Sequence, residues 1–388
     1  MLEVYQHHIQ TRIVSGERGL LTQCGPELDV FRHSRAGLVT DKVIVSLGFV
    51  EQLSQSLGEA GIELVSIFSE VPQDSDVETV THVADQFQAA NCNLLIALGG
   101  GSVIDTAKAA NILLTHGGDL LDYQGAEILT SSLLPLIAIP TTVGTGSEVT
   151  SVAVIADRTD HRKLTFVDKS LAPTIALLDP AVTSSLPNGL LAMTAMDALT
   201  HALEAYIDVL HNPFSDAWAV TAAGLIRQNL QTALGDPASE VTQSARASLQ
   251  TASTMAGIAF QHSMVGVVHA VAHALGGVAG VPHGLANALM LTEGLRCNAE
   301  VEGTRITEIG RLSGFSGDGQ EAVIQAIDEF RRDVLTSAEL PLTLAGARVT
   351  ADMLPLIVER ASEDGTMIYN PKYVDVDELA QMVQNVFE

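Results

Sequence analysis

Asp197 and His201 stand four residues apart in the apolar stretch 193–206, and His269 and His273 repeat that spacing in a second apolar stretch, 265–281. On a helix, residues four apart project from one face, one turn above the other. His283 follows ten residues after His273, in a Pro-His-Gly turn. One carboxylate with two or three imidazoles suits a divalent transition metal such as Fe²⁺ or Zn²⁺; Ca²⁺ and Mg²⁺ prefer oxygen shells. Ionisable groups in apolar helices also need partners, and a shared ion would supply one. Spacing leaves open which three or four of these residues ligate. His262, seven residues before His269, lies about two helical turns away and reads equally well as core. His7, His8, His33 and His211 fall in polar stretches and read as solvated, and Trp218 reads as core.

A second chemistry is suggested by Gly99-Gly100-Gly101-Ser102, which directly follows the apolar run LLIAL (residues 94–98) and precedes a helix expected from about Val103. Three glycines let the backbone approach a diphosphate closely, and the free N–H groups and dipole of a helix start favour negative charge. The competing reading is a tight strand-to-helix turn. Neither GxGxxG nor GxxxxGK[ST] occurs, so the ordinary dinucleotide and P-loop fingerprints are absent. The polar loop 141–148, with Thr141, Thr142 and Thr145, follows the run LIAIP in the same way.

These residues need elements to hold them. In the first half, short apolar or β-branched runs at 42–47 (KVIVSL), 62–68, 94–98, 136–140 and 175–179 alternate with helical patterns such as 50–60 and 77–90. Such alternation predicts an α/β domain with a parallel sheet and crossover helices. Residues 151–156 and 163–168, joined by the polar turn 157–162, read as a hairpin. After about Pro187 strand signals stop and Ala, Leu and Met at helical spacing dominate. The expected division is therefore an α/β domain over residues 1–183 and an all-helical domain over 184–388.

Composition narrows the partners. With 46 acidic against 20 basic residues, the formal charge of −26 would repel nucleic acid or an anionic membrane. No basic flank followed by an apolar run marks the N-terminus as an export signal. The longest apolar run carries His269 and His273 and reads as a buried helix, not a span. Cys24, Cys92 and Cys297 share no CxxC spacing, which fits a reducing, cytoplasmic setting without a disulfide framework.

Four motifs occur in order: GGGSVIDTAKA (99–109), PTTVGTGSEVT (140–150), DALTHALEAY (197–206) and HAVAHALGGVAGVPHGLANA (269–288). Together they make the chain resemble the iron-containing (group III) alcohol dehydrogenase family over essentially its whole length. The resemblance implies a nicotinamide-binding α/β domain, a helical domain, and a divalent metal in the cleft between them. It implies Asp197, His201, His269 and His283 as metal ligands, with His273 near the reacting centre as a substrate contact or proton relay. It also implies that Gly99, Gly100, Gly101, Ser102 and Asp105 hold the diphosphate. Thr141, Thr142 and Thr145 would line the nucleotide, with Lys163 near the cofactor.

Two departures concern cofactor choice. Where the family often places an Asp after its second strand, to accept from the adenosine ribose and select NAD, residues 42–47 read as a strand put Leu47. The family's Pro-Asn-Pro stretch reads Gln73-Asp74-Ser75 here, and the Asp74 carboxylate would repel a 2′-phosphate. NAD is therefore the expected cofactor, with NADP the alternative. The implied reaction is hydride transfer between a small primary alcohol or aldehyde and the nicotinamide, with Fe²⁺ or Zn²⁺ as Lewis acid, in a homodimer or larger homo-oligomer. A cyclising lyase of the dehydroquinate synthase type shares the fold, but it needs a cationic pocket and basic residues are sparse near these motifs. A non-catalytic nucleotide or metal binder is disfavoured by four intact motifs.

Overall fold

Runs such as LLIAL and LIAIP are apolar at every position, a pattern suited to a strand covered on both faces. In the computed structural model, which describes residues 7–16, 19–158 and 162–388, they form the middle of a six-stranded sheet. Its order is Arg12–Ser15, Ile175–Leu178, Leu136–Pro140, Leu94–Gly99, Arg35–Val39, Glu63–Phe68, and every neighbouring pair is parallel. Alternate residues point to opposite faces. Leu95 and Ala97 pack with Val80, Val83 and Ile104, while Leu94, Ile96 and Leu98 pack on the other face with Leu53 and Leu57.

The run at 42–47 is not a strand. Lys42–Ser46 is a short helix, capped by Asp41, whose Oδ1 accepts from the Val43 and Ile44 amides at 2.8 and 3.0 Å. Its β-branched residues suggest a strand by propensity, but the cap determines the local structure. The strand of this region is Arg35–Val39, hidden in the sequence by Gly37. A Cβ there would lie 2.5 Å from the Phe87 ring, so the glycine makes room for that side chain. Arg12–Ser15 and the two-residue strand Gly125–Ala126 also lie outside the strands expected from the sequence.

Val152–Asp157 and Arg162–Val167 form the antiparallel hairpin, with Gly125–Ala126 beside the second strand. Residues 159–161 of its turn lie outside the described residues. Two side chains of the helix Gly101–His116 hold the hairpin. Lys108 Nζ donates to the carbonyls of Thr150 and Val152 at 2.8 and 2.7 Å, and Asp105 accepts from the Val154 amide at 3.0 Å. Burial pushes the Lys108 ammonium down to about 8, against the pull of Asp105 and Glu148.

The chain forms two compact units, one of His8–Thr142 with Ser147–Ser185, the other of Leu186–Glu388 with Val143–Gly146 and His7. The second contains only helical elements among the described residues. Its helix Asn188–Ile207 is buried almost all round from Leu191 onward and packs against Pro213–Ala233, Glu240–Ser263 and His283–Ser313. No single helix among the described residues is long and apolar enough to cross a membrane.

Candidate functional site

In the helical unit, Asp197 and His201 lie one turn apart on Asn188–Ile207, and His269 and His273 one turn apart on Val267–Ala279. His283 is not in a turn: it is the first residue of the helix His283–Ser313, with Pro282 at the N-cap. The next residue, Gly284, permits a close helix approach, since a Cβ there would lie 2.3 Å from the Met193 carbonyl oxygen. Ligand-capable atoms of Asp197, His269 and His283 all come within 4.8 Å of one another. His201 stands beside this trio: its Nε2 is 3.9 Å from Asp197 Oδ1, and its ring stacks on His269 at 4.6 Å. His273 presents its ring to His283 at 5.4 Å, nearly parallel, and its Nδ1 meets Asp364 Oδ2 at 2.9 Å.

The electrostatics follow from burial and crowding. Burial alone would raise Asp197, but His201, His283 and His269 hold its carboxyl far below the usual range. Burial lowers His201 to about 4 and His283 to about 3, although Asp197 pulls each upward. His269 is the exception: burial opposes its charge, but the neighbouring carboxylates of Asp197 and Glu204 lift it to about 9.

Asn287 closes the group. Its Nδ2 lies 2.6 Å from Asp197 Oδ1, 3.1 Å from His269 Nε2 and 3.2 Å from His283 Nε2. An amide nitrogen carries two hydrogens. Once both rings are neutral with Nε2 unprotonated, the form a metal requires, it faces three acceptors, so lone pairs outnumber donors. That acceptor-rich surrounding, one carboxylate among imidazoles, fits a divalent transition metal. Gly284→Ala is expected to force the His283 helix away from a backbone atom that cannot swing aside, at a cost of about 1–3 kcal/mol. Unfolding melts and a Zn²⁺ titration check it: both stability and Zn²⁺ affinity should fall.

Sequence reasoning missed three contributors: Glu204, Asn287 and Asp364. Glu204 is seven residues after Asp197 and Asn287 four after His283, so helical spacing is a usable signal for both. His7 also differs from expectation. It is not a solvated residue: its ring packs against His262 at 3.9 Å and Phe214 at 5.3 Å.

In the α/β unit, Gly99 ends one strand and the helix begins at Gly101, two residues earlier than expected. The chain runs from Arg35–Val39 outward to Glu63–Phe68 and then to Leu94–Gly99 on the other side. The topological switch therefore falls between the carboxyl ends of Arg35–Val39 and Leu94–Gly99, where open α/β sheets bind ligands. Gly99–Ser102 sits there, and so does Thr40-Asp41, tied in by Thr40 Oγ1 donating to the Leu98 carbonyl at 2.8 Å. Leu47, eight residues past the strand and 44% exposed, is the C-cap of the short helix and not a strand-end residue.

Thr141 donates its amide to the Gly99 carbonyl, and Thr142 lies against Gly100. Ser102 Oγ accepts from the Asp74 amide at 3.3 Å, and Asp74 Oδ1 takes Lys163 Nζ at 2.8 Å. Asp105 has both oxygens engaged internally, by Ser147 Oγ at 2.5 Å and the Val154 amide. Thr145 belongs to the helical unit.

Two family profiles cover the chain: "Iron-containing alcohol dehydrogenase" over residues 10–180 and "Fe-containing alcohol dehydrogenase family, C-terminal" over residues 191–387. The chain is 33% identical to NAD-dependent methanol dehydrogenase of Bacillus methanolicus over 374 residues, 95% of this chain and 96% of that protein. It is 36% identical to 1,3-propanediol dehydrogenase of Citrobacter freundii, with 94% of each covered. A solved structure of 1,3-propanediol oxidoreductase superposes with a TM-score of 0.92 at 33% identity, covering 99% of this chain and 100% of that one.

Proposed function

The chain belongs to the iron-containing alcohol dehydrogenase family, and from that membership we propose that it interconverts small primary alcohols and aldehydes using NAD. In this reading Asp197, His201, His269 and His283 hold a divalent metal, iron or zinc. The observation that carries it is the carboxylate and imidazole trio within 4.8 Å, a donor set of the right chemistry for such an ion. Bound there, the metal supplies Lewis acidity at the substrate oxygen, and the nicotinamide supplies the hydride chemistry. The protein's own part is to orient. Asn287 holds Asp197, and Asp364 holds the His273 ring, leaving His273 Nε2 to meet substrate and move a proton.

Similarity to dehydrogenases named for methanol and 1,3-propanediol supports a short primary alcohol as substrate. Three free cysteines support a reducing, cytoplasmic setting; light scattering tests the expected homo-oligomer. The decisive assay follows NADH formation from short primary alcohols, and its consumption with the aldehydes, by metal-loaded protein. Absence of both across the panel would overturn the reading.

For the cofactor, Gly99–Ser102 with Thr141 and Thr142 are assigned to the diphosphate and nucleotide. Asp105 is given a positioning part through Ser147 and Val154. The ribose-reading position passes from Leu47 to Asp41, which supplies the carboxylate that Leu47 lacks. Both of Asp41's cap bonds use Oδ1, which leaves Oδ2 for a 2′-hydroxyl and against a 2′-phosphate. Asp74 contributes less repulsion than its charge suggests, because Lys163 Nζ offsets it at 2.8 Å. Asp41→Ser keeps a capping oxygen but removes the charge, so the NAD over NADP ratio of kcat/KM should fall by roughly tenfold, the equivalent of about 1.4 kcal/mol. Leu47→Asp should leave the ratio unchanged, and Asp74→Asn should move it less than Asp41→Ser. A ratio that responds to Leu47→Asp and ignores Asp41→Ser would show the determinant misplaced.

A further inference from the structure

The helix that carries His269 starts without a cap of its own. Gly266 at its N-cap has no side chain to offer, and the first amides of a helix have no partner within it. Two distant residues supply the acceptors. Asn370 Oδ1 takes the Val267 amide at 3.1 Å, and Glu204 Oε1 takes the Val268 amide at 2.7 Å. Glu204's second oxygen, Oε2, lies 2.5 Å from His269 Nδ1. One carboxylate therefore grips both the backbone at residue 268 and the ring at residue 269.

Glu204 is 1% exposed and sits on the same helix as Asp197, two turns along. The helix that provides a carboxylate at the centre of the cluster thus provides another behind it. In the neutral ring that ligation requires, with Nδ1–H committed to Glu204, the nitrogen left with a lone pair is Nε2. That atom faces Asp197 Oδ1 at 3.7 Å and Asn287 Nδ2 at 3.1 Å.

We infer that Glu204 is a positioning residue for the metal: it fixes the ring plane and tautomer of His269 so that Nε2 is the ligating nitrogen. This rests on the metal reading above and adds a residue to it. Partners of this kind, which hold the far nitrogen of a ligating imidazole, typically change metal affinity by about 10–100-fold when removed.

Glu204→Gln separates this from a purely helix-capping role, because glutamine has nearly the same shape. If its carbonyl keeps the Val268 amide, its NH₂ faces Nδ1 as a donor. His269 must then move its proton to Nε2, which withdraws the lone pair. Asn370→Ala is the matching control. It removes the neighbouring cap bond, at Val267, together with bonds to Asn298 and the Lys372 carbonyl, and does not touch His269.

The experiment titrates metal-free protein with Zn²⁺ against a chromophoric chelator, alongside thermal unfolding of each metal-free variant. Expected are a Glu204→Gln protein that melts close to wild type and binds Zn²⁺ about 10–100-fold more weakly, and an Asn370→Ala protein that melts earlier and binds Zn²⁺ nearly as wild type does. Should the Gln variant fail to fold, Glu204→Asp keeps the charge but retracts both oxygens by one methylene, and the same weakening is expected. Wild-type Zn²⁺ affinity in Glu204→Gln, or in Glu204→Asp where that variant stands in, overturns the positioning role and leaves the metal reading intact. Equal weakening in Asn370→Ala overturns it in favour of capping alone. A wild type that takes up no Zn²⁺ overturns both.

Discussion

Replacing His269 with alanine is expected to strip the protein of its metal and to lower turnover by roughly a thousandfold or more, the kinetic equivalent of the several kcal/mol a Lewis acid contributes. His269 is the hub of the cluster. Its ring lies 4.6 Å from His201, 5.4 Å from His283 and 6.1 Å from His273, and its two nitrogens face Asp197 and Glu204. Truncation removes a donor from the trio and leaves the buried Glu204 Oε2 without its partner, so some loss of stability should accompany the loss of metal. His201→Ala is expected to do less, because His201 stands beside the trio and not within it. Metal content after dialysis, with circular dichroism to show that the fold persists, is the measurement. A His269→Ala protein that retains a full metal equivalent would remove His269 from the ligand set.

The parts of this site that are legible in the sequence are those set by local helical geometry. Asp197 with His201, and His269 with His273, share helix faces because four residues make about one turn, whatever the rest of the chain does. Meeting of the two helices is a tertiary event, and only the match of four motifs in order anticipates it. Glu204 and Asn287 do carry a local signal. Glu204 extends the Asp197 stripe by one more turn, and Asn287 is hidden only while Pro282-His283-Gly284 is read as a turn. A proline at a helix start is compatible with the helix that follows, since the first amides have no intrahelical acceptor. Asp364 and Asn370 have no local signal at all, since they arrive from a short segment some ninety or more residues away in sequence.

In the α/β unit local propensity points the wrong way. KVIVSL has strong strand propensity and is a helix, while RAGLV contains a glycine and is a strand of the sheet. Both outcomes depend on neighbours: Asp41 caps the first, and the Phe87 ring needs the missing Cβ of the second. Reading KVIVSL as the strand displaces the strand end by eight residues, and with it the residue expected to read the ribose. Once the strand is placed by its hydrogen-bonded register, Asp41 lies beside the glycine turn at the switch point.

His273→Ala should give the opposite separation from His269→Ala: full metal and little turnover. His273 lies one turn beyond His269 and is left over once four ligands are assigned, yet it is not idle in the structure. Its Nδ1 meets Asp364 Oδ2 at 2.9 Å, and Asp364 Oδ1 is itself held by the Thr366 amide at 2.9 Å and hydroxyl at 2.7 Å. Burial would raise the Asp364 carboxyl, but the bonds from His273 and Thr366 hold it below its ordinary value. Asp364 therefore stays an anion that accepts from Nδ1, and in the proposed reading Nε2 is the atom that meets substrate, an arrangement suited to a proton relay. Positioned acid–base groups contribute about 10²–10⁴-fold, so kcat for His273→Ala should fall by that order and its pH–rate profile should change shape. Asp364→Asn, which keeps the shape but not the charge, should fall in between and also alter the profile. Metal content and pH–rate profiles of wild type and the two variants distinguish the roles. Loss of metal in His273→Ala would make it a ligand, and unchanged kinetics would reduce the His273 and Asp364 pair to packing.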